Sequence, residues 1–223
     1  MENNQKKAFL EYEADKWFDR NKHIITDYHT ENDFVANLLE RYHIQPECIL
    51  EIGCSAGYRI NGLACLYPSA DVYGVDPSGK AIAYGKDNYP NVNFNMATAD
   101  SLPYPAKKFD LVIVGFVFYV IDRDLLLTSV AEIDRVLSDK GFLIIVDFFS
   151  EKTLKNNYAH ISDFNAYSFK QKYENIFTAS HLYQLIDKST INHNDKKNDA
   201  LSDFYNLMSV TLLRKDINAS YID

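Results

Sequence analysis

The sequence predicts an α/β fold: a sheet of parallel strands, an antiparallel hairpin at the carboxyl end and a helical cap at the amino end. Three observations lead there. Between Cys48 and Phe149 short apolar runs alternate with stretches of helical spacing, the pattern of a parallel sheet with helical crossovers. The run Phe109 to Val114 is apolar almost throughout, as a strand buried on both faces must be. After residue 150 two strand-like runs, Leu182 to Ile186 (extending to Ile191) and Leu207 to Arg214, have no long helical crossover between them, so an antiparallel pair is expected.

The elements follow in order. Residues 1–45 read as a helical cap or lid, in which Phe9, Tyr12, Lys16 and Asp19 share a helix face, and Trp17 and Phe18 add bulk that has to be covered. Thr30, three residues before Asp33, resembles an N-cap for a helix carrying Phe34, Val35, Leu38, Leu39 and Tyr42, which should end before Pro46. Residues 46–150 form the α/β core: strands at Cys48 to Ile52, Asp71 to Val75, Val92 to Met96, Phe109 to Val114 and Phe142 to Val146. The helices between them run over Tyr58 to Leu66, Lys80 to Asn88 and Arg123 to Leu137, the last one capped by Asp122. Residues 151–223 complete the same domain as a helical, aromatic insertion (His160, Phe164, Tyr167, Phe169, Tyr173, Phe177) and the hairpin, whose strands are joined by a polar loop, Asn192 to Asp203.

Composition excludes several classes. At 223 residues, 47% hydrophobic, the chain can bury one substantial core. A net charge of -8 argues against a nucleic-acid partner, which would require clustered Lys and Arg; the pairs Lys107-Lys108 and Lys196-Lys197 read as solvated loops. Cys48, Cys54 and Cys65 show neither Cys-x-x-Cys spacing nor an even count, so reduced thiols are expected, with no metal site and a cytoplasmic location. Cys54 has no His that could make it a nucleophile. No apolar run is long enough to span a bilayer.

The chemistry concentrates at the strand ends. Glu51-Ile-Gly-Cys-Ser-Ala-Gly57 joins the first strand to a helix by a glycine loop, where backbone N–H groups can meet a polar ligand. It is neither a Gly-x-Gly-x-x-Gly dinucleotide loop, which would need glycine at Ser55, nor a P-loop, since no Gly-Lys-Ser/Thr follows. Glu51, Asp76 (in Val-Asp-Pro77) and Asp100 (before Ser101-Leu102) close three successive strands, and ligands of open α/β sheets bind outside those carboxyl ends.

This set resembles the class I S-adenosylmethionine-dependent methyltransferases of the type 11 kind, and implies their Rossmann-like sheet. The resemblance implies that Gly53, Cys54, Ser55 and Gly57, with Glu51, face the methionine part of S-adenosyl-L-methionine. Asp76 and Pro77 would meet the ribose, and Asp100, Ser101 and Leu102 the adenine. Phe109-Asp-Leu-Val-Ile-Val-Gly115 and Glu132-Ile-Asp-Arg-Val-Leu-Ser-Asp-Lys-Gly141 match the fourth-strand motif and the helix-to-turn motif that follows. The chain departs from the family at Ser55, where glycine is usual, and at Phe118 or Tyr119, where many relatives carry His. A narrower similarity, in Glu13-Ala-Asp-Lys-Trp-Phe-Asp-Arg-Asn and Gly-Phe-Val-Phe-Tyr-Val-Ile-Asp-Arg, is to a subgroup tied to bacterial surface-polysaccharide and sugar modification.

The expected activity is methyl transfer to a small-molecule acceptor, with a sugar or polysaccharide-precursor hydroxyl as the narrower reading. For a hydroxyl acceptor the base candidates are Asp147, then His160 and Tyr119. Trp17 is a candidate wall over the ligand and Arg20 a carboxylate or phosphate clamp. A homodimer stays open, as do two other readings: a catalytically silent cofactor binder and a nicotinamide-dependent oxidoreductase.

Overall fold

The computed structural model describes residues 4–161, 165–194 and 206–218. Nine strands occur among them: β1 (Cys48–Ile52), β2 (Asp71–Asp76), β3 (Val92–Met96), β4 (Phe109–Gly115), β5 (Leu137–Phe148), β6 (Leu154–Asn157), β7 (Tyr167–Lys170), β8 (Tyr183–Asn192) and β9 (Leu207–Lys215). Seven form one sheet in the order β3-β2-β1-β4-β5-β9-β8, while β6 and β7 pair separately as an antiparallel hairpin. The strands β1 to β5 are mutually parallel, and β9 runs antiparallel to both β5 and β8. The helices are α1 (Asn4–Ala8), α2 (Ala14–Asn21), α3 (His23–Asp27), α4 (Phe34–Arg41), α5 (Tyr58–Leu66), α6 (Gly79–Asn88), α7 (Leu126–Val136) and α8 (Glu174–Thr178).

Strand alternation divides the core into two layers. Ile49, Leu111, Ile113 and Ile144 point to the side covered by Leu39 of α4 and Ile60 and Leu63 of α5. Leu50, Ile52, Val112, Val114 and Ile145 point to the other, against Ile133 and Val136 of α7 and Phe177 of α8. With both faces covered, the central strands have to be continuously apolar, which is why they read so plainly in the sequence. Each fully buried Leu or Ile contributes roughly 2 kcal/mol from burial.

From β1 the chain steps outward to β2 and β3, then returns to place β4 on the other side of β1. That reversal opens a crevice at the carboxyl ends of β1 and β4.

Three expectations need correction. Residues 151–180 are not mainly helical: among the described residues β6 and β7 form a hairpin and Glu174–Thr178 is the one helix, with Tyr158, Phe169, Tyr173 and Phe177 buried from loop, strand and helix alike rather than along one helical stripe. Asp33, not Thr30, caps α4, its Oδ1 accepting from Val35 N at 2.9 Å and Ala36 N at 3.2 Å, while Thr30–Asn32 is a 3-10 turn. In the cap, Gln5, Ala8, Glu13 and Phe18 are buried and Tyr12 is exposed. A π-helical turn at Phe9–Glu13 between α1 and α2 adds backbone to the helix and rotates the face that the α-helical period assigned to Phe9 and Tyr12. Phe164, Lys196, Lys197 and most of the Asn192 to Asp203 loop lie outside the described residues.

Candidate active site

The first loop is shaped by backbone conformations that few side chains tolerate. Gly53 and Gly57 have φ of +77° and +85°. A Cβ on Gly53 would sit 2.6 Å from the Gly115 carbonyl oxygen, and one on Gly57 would sit 2.3 Å from the Phe94 ring. Ser55 also adopts φ +51°, which explains why glycine is the usual residue there. Its N–H donates to Asp76 Oδ2 at 2.9 Å, and that bond holds Ser55 in the left-handed region.

Glu51 lies near the end of β1, Asp76 closes β2 and Asp100 follows β3, three neighbouring strands of the sheet. Glu51 is 2% exposed; Oε1 accepts from Arg59 at 2.8 Å, and Arg59 also donates to Asp33 at 3.0 Å. One guanidinium thus faces two carboxylates, and the second oxygen of Glu51 is buried without a hydrogen-bond partner. Burial pushes the Glu51 pKa up to about 7 against the pull of Arg59. A buried acceptor in a cluster with surplus negative charge fits a cationic ligand group such as an ammonium. Asp76 accepts from Ser55 N and, at 2.8 Å, from Ser78 N, and burial raises its pKa to about 6. Both its oxygens have further lone pairs for hydroxyl donors.

Asp100 sits in a tight turn, beside the Thr98 to Ser101 bridge, and pairs with Lys6 of α1 at 2.7 Å. Burial works to raise its pKa, but the bonds from Lys6 and Thr98 hold it below the ordinary value. Leu102 is buried, Ser101 exposed and Pro77 half-buried. Leu102 N donates to Glu132 at 2.8 Å, and Arg135 reaches the Leu102 and Tyr104 carbonyls at 3.1 and 2.7 Å. The Glu132-to-Gly141 motif therefore steadies the loop expected to take the adenine. Gly115 lies where a Cβ would come 3.1 Å from Arg59 Nη1, so the bare backbone lets Arg59 reach Glu51. Cys54 is buried, and burial first of all pushes its thiol pKa far up, so it is no nucleophile.

The cap lies across this crevice. Asp15 of α2 accepts from Ser78 Oγ at 2.6 Å and Lys80 N at 3.1 Å, and Phe18 packs with Ala56 and Ala81. Gln5 donates to the carbonyls of Val120 and Tyr167 at 2.9 and 3.1 Å. Phe18 carries the buried bulk, while Trp17 is half-buried. Arg20 is not an open clamp, since its guanidinium is paired with Glu13.

The base candidates separate sharply. Asp147 has no exposed surface, and its two oxygens accept from Phe118 N at 2.8 Å and Phe148 N at 2.7 Å. Burial raises its pKa to about 7, but it fixes the turn after β4 and offers no open oxygen to an acceptor. His160 is exposed, edge-on to Tyr158 at 5.4 Å. Phe118 stacks on Tyr173 at 5.1 Å inside the core, while Tyr119 is half-buried, its ring 4.9 Å from Phe148 and 6.5 Å from Tyr158. Sequence reasoning missed Glu13, which accepts from Tyr158 Oη at 2.8 Å and from Arg20. The seven-residue spacing of Glu13 and Arg20, two turns of one helix, was the available signal; nothing in the sequence tied Tyr158 to them.

No helix among the described residues is long and apolar enough to cross a membrane, and no group of metal-ligating side chains occurs among them. The glycine loop, the acids at the carboxyl ends of neighbouring strands and the unpartnered Glu51 oxygen make a Rossmann-like site that fits S-adenosylmethionine, the cofactor of the class I methyltransferases. Residues 50–145 match the family model described as a methyltransferase domain.

Among curated proteins it is 30% identical to the malonyl-[acyl-carrier protein] O-methyltransferase of Legionella pneumophila over 141 residues, 56% of this chain and 48% of that one. It is 28% identical to the ubiquinone/menaquinone biosynthesis C-methyltransferase of Campylobacter jejuni over 106 residues, 45% of this chain and 44% of that one. These alignments span under half of either relative's length. Among solved structures, the Burkholderia thailandensis 1,6-didemethyltoxoflavin-N1-methyltransferase with bound S-adenosylhomocysteine superposes with a TM-score of 0.67 at 15% identity, covering 96% of this chain and 90% of that chain. At that identity the likeness is one of fold.

Proposed function

We propose that this chain transfers a methyl group from S-adenosylmethionine to a small-molecule acceptor, with a sugar or polysaccharide-precursor hydroxyl as the acceptor class to test first. The observation that carries the reading is the buried, unpartnered Glu51 oxygen, at the same end of the sheet as Asp76 and Asp100. Bound there, the cofactor supplies an electrophilic methyl group. Glu51 would hold its ammonium, Asp76 the ribose hydroxyls and Asp100 the adenine amino group.

The remaining work of the protein is to hold the acceptor atom in line and keep water out, which accounts for a large share of the acceleration in such reactions. Tyr119, Phe148, Tyr158 and Phe9 supply an aromatic wall on the acceptor side, with Phe9 4.9 Å from Tyr158. Flat rings beside hydroxyl groups suit a sugar, and the aromatic amino-terminal motif is the other support for that class. The relatives named above act at oxygen, carbon and nitrogen, so the methylated atom is not inherited from them.

The test is transfer of labelled methyl into separate panels of nucleotide sugars, free sugars and phenols, with Asp76→Ala as control. Label in a sugar panel, lost in the variant, supports the proposal. Label only in phenols refutes the sugar class. Cofactor binding without transfer to any panel would favour a silent binder.

A further inference from the structure

Asp33 joins a helix terminus to the cofactor side of the sheet. Its carboxylate is buried, and its two oxygens have separate work: Oδ1 caps α4, while Oδ2 accepts from Arg59 Nε at 3.0 Å. Arg59 in turn reaches Glu51 Oε1 through Nη1 at 2.8 Å. A Cβ on Gly115 would lie 3.1 Å from that nitrogen, 3.5 Å from Glu51 Oε1 and 3.9 Å from the Gly53 carbonyl oxygen, so the cluster abuts the glycine loop.

The second carboxylate changes both the geometry and the charge at Glu51. A guanidinium with no other partner commonly forks both oxygens of a carboxylate with two parallel bonds. Because Asp33 holds Nε, Arg59 meets Glu51 through one nitrogen, and Oε2 is left without a partner. Glu51 and Arg59 alone would make a neutral pair with no net attraction for a cation. Asp33 adds one negative charge, and all three side chains are shielded from most of the water, where a charge acts more strongly.

We infer that Asp33, acting through Arg59, is a positioning residue for the ammonium end of the cofactor: it keeps one Glu51 oxygen open and gives the cluster the surplus charge that attracts the ammonium. The inference rests on the methyltransferase reading and extends its site to a residue of the amino-terminal segment. Asp33 acts at one remove, and Glu51 is the group that meets the ligand.

The test is calorimetric titration with two ligands: S-adenosylhomocysteine, which carries the ammonium, and 5′-methylthioadenosine, which has the same nucleoside and thioether without the amino-acid end. Asp33→Asn keeps a good helix cap but removes the charge and, with only one acceptor oxygen, the bond from Arg59. The expected result is a loss of roughly tenfold or more in S-adenosylhomocysteine affinity, with methylthioadenosine affinity unchanged. In ligand-free crystals of the variant, Arg59 is expected to fork both Glu51 oxygens. Unchanged S-adenosylhomocysteine affinity, an equal loss for both ligands, or an Arg59 that stays on one Glu51 oxygen overturns the inference. If Asp33→Asn does not fold, Asp33→Ser, another capping residue, is read in the same way. A wild type that binds neither compound defeats the methyltransferase reading and this inference together. A wild type that binds both, with a variant that binds them equally well, defeats the inference alone.

Discussion

The sheet and the cap are held by different forces, and the contrast explains which functions each can serve. In the sheet, Ile49, Leu111 and Ile113 are fully buried between two helical layers, so the cofactor side is fixed by apolar packing. The outer part of the cap, α1 and α2 with the π turn between them, rests on a small cluster around Phe18 and on polar bonds from Lys6, Gln5, Asp15 and Glu13. Rigid placement suits a cofactor whose acceptor and donor groups do not vary. A covering held mostly by hydrogen bonds can open at lower free energy than the core, as a site that admits and releases a second substrate requires.

The largest expected effect comes from breaking the sheet. Ile113→Ala should lower global stability by about 4 kcal/mol, read by chemical denaturation, because the cavity lies between two packed layers. Gly53→Ala should cost about 2–3 kcal/mol and abolish cofactor binding, since the added methyl meets the Gly115 carbonyl and the backbone itself has to move. Phe18→Ala sharpens the comparison: it should weaken cap closure by about 2 kcal/mol and speed proteolysis within the cap, while leaving the denaturation midpoint of the sheet in place. A drop in the global midpoint as large as that of Ile113→Ala would show that cap and sheet unfold as one unit.

The pH response comes next. Burial raises the folded pKa of Asp76 to about 6 and of Glu51 to about 7. Unfolded carboxyls titrate near about 4, so in this window the folded state binds more protons, and the ligand-free fold should lose stability as pH rises from about 4 to about 7. Hydroxyl and ammonium donors favour the ionised carboxylates, so S-adenosylhomocysteine affinity should rise over the same range, with proton release measurable by titration in buffers of different ionisation enthalpy. In the affinity profile Asp76→Asn should remove the lower step and Glu51→Gln the upper one, while buried Asp147, also raised to about 7, keeps its share of the stability change. The smallest effect belongs to Ser55→Gly: relief of the left-handed strain and the added freedom of the unfolded chain nearly cancel, so denaturation should shift by no more than about 0.5 kcal/mol.

How much could be read in the sequence follows the same division. The strand Cys48–Ile52, the helix Tyr58–Leu66 and the strand Val92–Met96 have the limits expected from periodicity, because two-sided burial and glycine turns leave strong local signals. Glu51, Asp76 and Asp100 were legible because a strand end is a local feature. The hairpin β6–β7 was not, since the pairing of Leu154–Asn157 with Tyr167–Lys170 and the cover that Phe9 of the cap gives the neighbouring Tyr158 leave no sequence period. Asp147 looked like an open acid at a strand end, and only the backbone N–H groups folded over it show that it is enclosed. The face presented by the cap depended on one π turn, which propensity does not reveal.

The central claim is that this crevice binds S-adenosylmethionine through the strand-end acids. Calorimetric titration with S-adenosylhomocysteine, with NAD as control and Asp76→Ala alongside, tests it most directly. The account expects micromolar binding to the wild type, no binding of NAD, and loss of binding in a variant that still folds. Undiminished affinity in folded Asp76→Ala, or binding of NAD in place of S-adenosylhomocysteine, would contradict it.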